Sequence, residues 1–269
     1  MAKRRIAGFG WIRDLPDHRD QLFSARLETL RRLPQSVDLR RKCPPVYDQG
    51  RIGSCTANAI AAAIQFDRRR NKQRPDFVPS RLFIYYNERV MEGSVASDAG
   101  AQIRDGIKSV TKQGVCPERE WPYDDTPPPY DGGPFPSGSP AVSRPPARVY
   151  ADARKYEAVQ YQRLSQSLGQ LKGCLAEGFP FVFGFSVYDS LYDPAGRPRK
   201  IVPLPSRRDR LLGGHAVLAV GYDDASQRFI VRNSWGRANQ DKGYFYMPYA
   251  YVTDPSLAAD LWVIRRISD

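Results

Sequence analysis

The segment from Trp121 to Arg148, WPYDDTPPPYDGGPFPSGSPAVSRPPAR, restricts the possible folds of this chain more than any other feature. Its proline and glycine favour turns and irregular connections over helices and strands. Upstream, the stretches 79–90 and 99–114 have apolar residues at helical spacing. Downstream, short apolar runs such as FPFVFGFSVY, HAVLAVGYD and RFIVRNSW are typical of strands. We therefore predict an α+β fold, with a helical lobe at about 35–125 and a β lobe at about 145–269.

The size and composition of the chain are those of a globular protein. Its 269 residues, 41% of them hydrophobic, suffice for one large domain or two closely packed lobes. No stretch approaches the roughly 20 apolar residues that a membrane-spanning helix needs. The basic start, MAKRRIAG, is not followed by the apolar run of a secretory signal peptide. We expect a cytoplasmic protein, or one exported by a route that the sequence does not show.

The formal net charge is +12, which suggests an anionic partner such as a nucleotide, nucleic acid or an acidic lipid. The arginines cluster at 68–70, 197–200 and 207–210. None of these clusters has the interleaved aromatic residues of a surface that stacks bases. A solvated basic surface is therefore the favoured interpretation, and an anionic ligand on the basic loops is the alternative.

Cys55 stands where a helix is predicted to begin. The loop-forming residues of DQGRIGS precede it, with Ser54 as a suitable N-cap, and the alanine-rich run 57–66 follows. A thiol in the first turn of a helix experiences the positive end of the helix dipole, which favours the thiolate. Packing in the core is the alternative role for Cys55, as for most free cysteines.

A reactive cysteine needs a base, and the chain has only two histidines, His18 and His215. His18 lies in a charged turn, where a solvated side chain is expected. His215 begins the predicted strand GGHAVLAVGYD, and the next strand leads to Asn233 and Trp235. A hairpin between these strands would bring Asn233 beside the imidazole, with Trp235 shielding their hydrogen bond. A purely structural histidine is the alternative.

Four motifs in this order resemble the papain-like cysteine peptidases: LPQSVDLR, QGRIGSC, GGHAVLAVGY and NSWG. The resemblance begins near Leu33 and implies a two-lobe fold, a helical lobe facing an antiparallel β lobe across an active-site cleft. It implies endopeptidase activity through a thioester, on protein or peptide substrates and without a cofactor. By position, it assigns catalysis to Cys55, His215, Asn233 and Gln49, and substrate binding to Gly100, Gly214 and Trp235.

The chain departs from the family pattern near the nucleophile. Ile52 stands where the family usually has a disulfide-forming cysteine, and Thr56 where a tryptophan usually follows the nucleophile. The loss of that cysteine fits a reducing compartment or a bacterial branch of the family. Two alternative functions stay open: transpeptidation or deamidation on the same fold, and a basic nucleotide- or nucleic-acid-binding protein. We expect a monomer.

Residues 1–34 precede the papain-like domain, 35–269. Upstream segments of this family usually lie through the cleft, so we expect this one to mask the active site. It carries four apolar residues that a free tail would not be expected to hold, Phe9, Trp11, Leu15 and Phe23. The alternative is a structural arm that packs on the back of a lobe.

Overall fold

The computed structural model describes residues 9–156 and 158–267. Helices dominate its first half, and the long helix α2 lies at the centre of the molecule. The α-helices in the described residues are α1 Leu27–Arg31, α2 Cys55–Arg70, α3 Arg81–Glu92, α4 Ile103–Gln113, α5 Ala147–Ala153, α6 Leu168–Ala176 and α7 Tyr249–Val252.

The ends of these helices follow local sequence signals in most cases. Ser80 caps α3, because its side chain accepts a hydrogen bond from the Phe83 N–H over 3.1 Å. Gly114 ends α4 with a positive φ of 72°. Ser54 is the N-cap residue of α2, but its side chain makes no capping bond and lies 2.5 Å from the Tyr123 hydroxyl. The start of α2 is thus held by tertiary contacts.

The strands concentrate in the second half, with three short ones near the N-terminus and one beside α4. In the described residues they are β1 Trp11–Ile12, β2 Leu22–Phe23, β3 Ser36–Asp38, β4 Ala101–Gln102, β5 Ala158–Leu164, β6 Phe181–Tyr188, β7 Leu211–Asp223, β8 Arg228–Arg232, β9 Tyr244–Pro248 and β10 Ala258–Ile267.

One sheet of eight strands forms the β lobe, in the order β2-β5-β10-β6-β7-β8-β9, with β3 paired to β7. All its pairings are antiparallel except that of β2 with β5, which is parallel. β1 and β4 form a separate parallel pair. The predicted two-lobe α+β fold is confirmed, and strands from the N-terminal segment join both lobes.

The predicted irregular connection has neither a helix nor a strand between residues 121 and 146. The short helix α5 follows it and buries Val149 and Ala153 beside Phe83 and Cys116 of the helical lobe. α5 therefore belongs with the helices, and the sheet resumes only at Ala158, later than the expected start of the β lobe near residue 145.

The two lobes meet where α2 packs on the sheet. Ile60 and Ala63 of α2 share one buried core cluster with Ala216 and Leu218 of β7 and with Trp262 of β10. α2 is thereby packed against the middle of β7. Within the described residues, no helix is both long and apolar enough to cross a membrane.

Candidate active site

Cys55 is the first residue of α2 and is completely buried. The backbone N–H groups of Ala216, in β7, and Gly10, in the N-terminal segment, face its sulfur and act to lower the pKa of the thiol. Burial raises the pKa of the thiol to about 12, and these N–H groups offset only part of that effect. The expected preference for thiolate is therefore wrong for this conformation, because loss of water outweighs the helix dipole.

His215 directly precedes Ala216 in β7, and it too is completely buried. Its Nε2 lies 2.9 Å from Oδ1 of Asn233, and its ring stacks on Trp235 with centroids 4.7 Å apart. The hairpin of β7 and β8 brings these residues together, as predicted. Burial lowers the pKa of His215 to about 4, and Nδ1 has no hydrogen-bond partner among the described residues. The site thus favours a neutral thiol and a neutral imidazole.

Gln49 connects the two lobes behind Cys55. Its side chain is fully buried, with Nε2 donating to the Ile52 carbonyl over 3.1 Å and Oε1 accepting from the Ser234 hydroxyl over 2.7 Å. Its backbone N–H donates to the Ser234 carbonyl over 2.8 Å. These contacts hold the Gln49 amide in place beside the loop that leads to Cys55.

Thr56, which stands where the family usually has a tryptophan, contacts Glu88, a residue that the sequence analysis did not identify. Its hydroxyl donates to Oε1 of Glu88 over 2.6 Å. Glu88 is fully buried, and burial raises the pKa of its carboxyl well above the usual range. The start of α2 is therefore held by a polar contact inside the helical lobe.

Gly100 and Gly214 lie on opposite walls of the cleft, and the N-terminal segment fills the space between them. The Ala101 N–H donates to the Gly10 carbonyl over 2.7 Å. A Cβ on Gly100 would lie 2.2 Å from the Gly10 oxygen, and one on Gly214 would lie 2.4 Å from the Trp11 oxygen. Both glycines therefore provide the room in which a peptide backbone now lies.

The Trp11 side chain occupies a socket in the β lobe beside the cleft. A Cβ on Gly184 would lie only 2.0 Å from its ring, and its Nε1 donates to Oδ2 of Asp260 over 3.1 Å. On the other side of Gly10, the Phe9 ring lies edge-on to those of His215 and Trp235. The sequence analysis missed Gly184 and Asp260, since neither belongs to a motif.

A buried pair of carboxyl groups holds the segment after Trp11. The Asp14 N–H donates to Oδ2 of Asp260 over 2.8 Å, and the Asp14 carboxyl accepts from Trp262 Nε1 and the Arg104 N–H. Burial and the nearby Asp260 raise the pKa of Asp14 to about 6. Burial also raises the pKa of Asp260, and Arg163 lies 3.3 Å from it.

The remaining cysteines and His18 lie apart from this cluster. Cys43, Cys116 and Cys174 are buried free thiols, and burial raises the pKa of each. His18 is exposed, as expected. Neither His18 nor any of these thiols has the arrangement of a nucleophile with its base.

The arginine cluster 68–70 has structural roles. Arg68 is fully buried, with its guanidinium over the rings of Phe77 and Tyr156. Arg69 lies 3.4 Å from Asp76, and the Arg70 guanidinium lies 3.9 Å from the Phe179 ring centroid. The suggestion that this cluster binds an anion is therefore not supported.

Comparison with known proteins decides the family. The model of the papain family of cysteine proteases matches residues 33–256. The chain belongs to this family. It is a cysteine endopeptidase, and the comparisons give no support to the alternatives of transpeptidation, deamidation or a nucleic-acid-binding role.

Several relatives are similar over nearly the whole chain. An uncharacterized peptidase C1-like protein of Acanthamoeba polyphaga mimivirus is 38% identical, over 97% of this chain and 88% of its own. The crystal structure of xylellain, a cysteine protease from Xylella fastidiosa, is 52% identical with a TM-score of 0.92 and 98% of each chain covered. A procathepsin B of Trypanosoma congolense, 19% identical with a TM-score of 0.69 over 91% of this chain and 81% of its own, shares the fold.

Proposed function

We propose that this endopeptidase cleaves peptide bonds through a thioester on Cys55. In this reaction His215 Nδ1 takes the thiol proton as the sulfur attacks the carbonyl carbon of the scissile bond, whose electron pair moves to the oxygen. The Gln49 side-chain amide and the Cys55 N–H donate to that oxyanion. His215 then gives its proton to the leaving amine, and water hydrolyses the thioester in a second round.

The contacts of the imidazole carry this assignment. Asn233 already accepts from Nε2 over 2.9 Å, so Nδ1 is the ring nitrogen that stays available for proton transfer. The stacked Trp235 is only 3% exposed and covers that hydrogen bond. Asn233 thus orients the ring, and His215 carries the proton.

Turnover of a fluorogenic peptide by single variants tests these roles. Cys55→Ala is expected to abolish turnover and labelling by an epoxide inhibitor of cysteine peptidases. His215→Ala is expected to lose more of kcat than Asn233→Ala, because it removes the proton carrier. His18→Ala is the matched control and keeps full activity. Persistent labelling in Cys55→Ala, or equal losses in the other two variants, would contradict the assignment.

We infer further that residues 9–12 hold the enzyme in a masked state. Residues 1–8 of the predicted masking segment lie outside the described residues. The observation that supports masking is the Gly10 backbone, whose N–H faces the Cys55 sulfur while its carbonyl accepts from the Ala101 N–H over 2.7 Å. A substrate backbone would have to enter the same space.

Removal of residues 1–12 tests the mask better than removal of residues 1–34. The longer deletion would also remove Phe23 and Ala25, which are buried in the core of the β lobe. The shorter one keeps them, together with Asp14 and its partners. We expect a clear rise in turnover of a small peptide with the fold retained, and an unchanged rate in the folded truncated protein would refute masking.

We also propose that the basic loop, residues 193–210, binds an anionic ligand such as a nucleotide. A groove of about 850 Å³ lies beside it, lined by Arg197, Arg199 and Lys200. Arg197 already pairs with Asp193, which reduces the charge available. Retention on heparin with a steep salt dependence is expected, and no retention at low salt would refute the proposal.

For the state of the protein we propose a monomer in a reducing compartment. The four cysteines are all free and buried, which fits a compartment where thiols stay reduced. Light scattering and fractionation of cells test these two proposals. A stable dimer, or the protein in an oxidising compartment, would contradict them.

A further inference from the structure

We propose that Gln240 is a positioning residue, which fixes the side-chain amide of Asn233 and through it the imidazole of His215. This inference rests on the catalytic roles proposed above. Gln240 lies in the connection from β8 to β9, residues 233–243, outside every motif that pointed to the active site. It does not contact the reacting atoms.

The Asn233 amide is useful in only one of its two orientations. Its Oδ1 faces His215 Nε2 at 2.9 Å and also accepts from the Ser234 N–H over 2.8 Å. Its Nδ2 donates to Oε1 of Gln240 over 2.7 Å. With the amide turned over, its NH₂ group would face two N–H donors and its oxygen would face the Gln240 oxygen. Gln240 therefore favours the orientation that accepts from the ring.

Gln240 is itself held at its other end. Its Nε2 donates to the Arg199 carbonyl over 3.0 Å. The Arg199 N–H in turn donates to the Leu191 carbonyl over 2.8 Å. Because the Arg199 carbonyl can only accept, the Gln240 nitrogen must point toward it, and the Gln240 oxygen must then point toward Asn233.

The backbone of Gln240 is a second, independent sign of a specific role. Its φ is +52°, in the left-handed region that non-glycine residues adopt rarely. Lys242, in the same loop, has a φ of +54° but an exposed side chain. Strained residues concentrate where function constrains the backbone. The rare positive φ thus occurs at Gln240, the residue whose side chain contacts Asn233.

Loss of the Gln240 side chain is expected to lower kcat, because the orientation of the Asn233 amide is then less restricted. Without its partner the amide turns over more often, and the Nε2–H of the ring then loses its acceptor. A smaller fraction of the imidazole is correctly oriented, so kcat falls while KM stays unchanged. The acceptor also stabilises the charged imidazolium, so its loss lowers the pKa of His215.

A double-mutant cycle in the full chain tests this proposal. Gln240→Met removes both hydrogen bonds at similar length. We expect kcat on a fluorogenic peptide to fall roughly three- to tenfold, the worth of one neutral hydrogen bond, with the acid limb of kcat/KM moved to lower pH. In the Asn233→Ala background the same change is expected to have no further effect. Lys242→Met is the matched control and leaves kcat unchanged.

The outcomes separate this inference from the proposed function. If Gln240→Met lowers kcat by the same factor in the unaltered chain and in the Asn233→Ala variant, its effect does not pass through Asn233. Gln240 then only stabilises its loop, and the inference is wrong. An unchanged kcat in Gln240→Met, with Asn233→Ala impaired, also overturns it. If Asn233→Ala has full activity, the role proposed for Asn233 fails instead.

Discussion

The two ends of the N-terminal segment are docked on the same molecule in different ways. At residues 9–12 the backbone lies against the backbones of Gly100 and Gly214. At residues 22–31 the contacts are side chains in a core, where Phe23 is 2% exposed and Ala25 packs against α6 at Gly173. The first region covers the candidate site, and the second completes the β lobe.

The difference shows that masking and structural support need not exclude each other. Residues 9–12 add only a two-residue strand beside β4, and their side-chain packing consists of Trp11 in its socket and the partly buried Phe9 against His215 and Trp235. Phe23, by contrast, lies among core residues such as Leu175 and Val263. Short backbone pairings open at lower cost than packed cores. We therefore expect the front of the segment to open in an otherwise folded enzyme.

Phe23→Ala is expected to have the largest effect, on stability. Deleting a buried phenylalanine side chain typically lowers the free energy of unfolding by about 3–5 kcal/mol. Denaturant unfolding measures this loss. Under native conditions the labelling rate of Cys55 is expected to stay near that of the unaltered chain. A rise in labelling without loss of stability would show that the two regions do not differ as described.

Trp11→Ala is expected to raise the labelling rate of Cys55 more than it lowers the free energy of unfolding, the reverse of Phe23→Ala. Trp11 is 8% exposed in its socket, and burial of such a side chain is worth roughly 1.5–3 kcal/mol. That corresponds to roughly a tenfold to hundredfold rise in the open fraction and in the labelling rate of Cys55. Leu15→Ala is the matched control, because Leu15 belongs to the same segment but is 70% exposed. Equal rates in the two variants would contradict the role of the socket.

A smaller effect is expected from pH, through Asp14. Its pKa is about 6 when docked and 3.8 ordinarily, so docking takes up a proton. The stabilisation is complete below about pH 3.8 and is lost as the pH rises through about 6. The labelling rate of the intact chain, divided by that of the chain lacking residues 1–12, should therefore rise from pH 4 to 7. Asp14→Asn should make this ratio independent of pH. If the ratio changes with pH in that variant as it does in the unaltered chain, Asp14 is not the group that causes the pH dependence.

Local patterns were sufficient to predict much of the fold. Ser80 and Gly114 bound α3 and α4 as local signals indicate, because caps depend on neighbouring residues alone. The hairpin that brings Asn233 to His215 followed from two strands and a short turn. These features required no knowledge of distant contacts.

Features that depend on distant contacts were not predictable. Leu15 was expected to be an anchor, yet its side chain is exposed, and the segment is held there by Asp14 and Asp260, 246 positions apart. The thiolate expectation for Cys55 failed for the same reason, since its sulfur is completely buried in the folded chain, beside segments as distant in sequence as β7. Burial by a distant segment leaves no local pattern.

The alkylation rate of Cys55 tests the central claim most directly, since masking by residues 9–12 should slow it. The intact chain and the chain lacking residues 1–12 are treated with a small thiol reagent at one pH, and the modified cysteine is identified by mass spectrometry. The buried thiols of Cys116 and Cys174 serve as internal controls for unfolding. Masking predicts fast modification of Cys55 in the truncated chain, slow modification in the intact chain, and slow modification of both controls throughout. Equal Cys55 rates in the two folded chains would contradict masking.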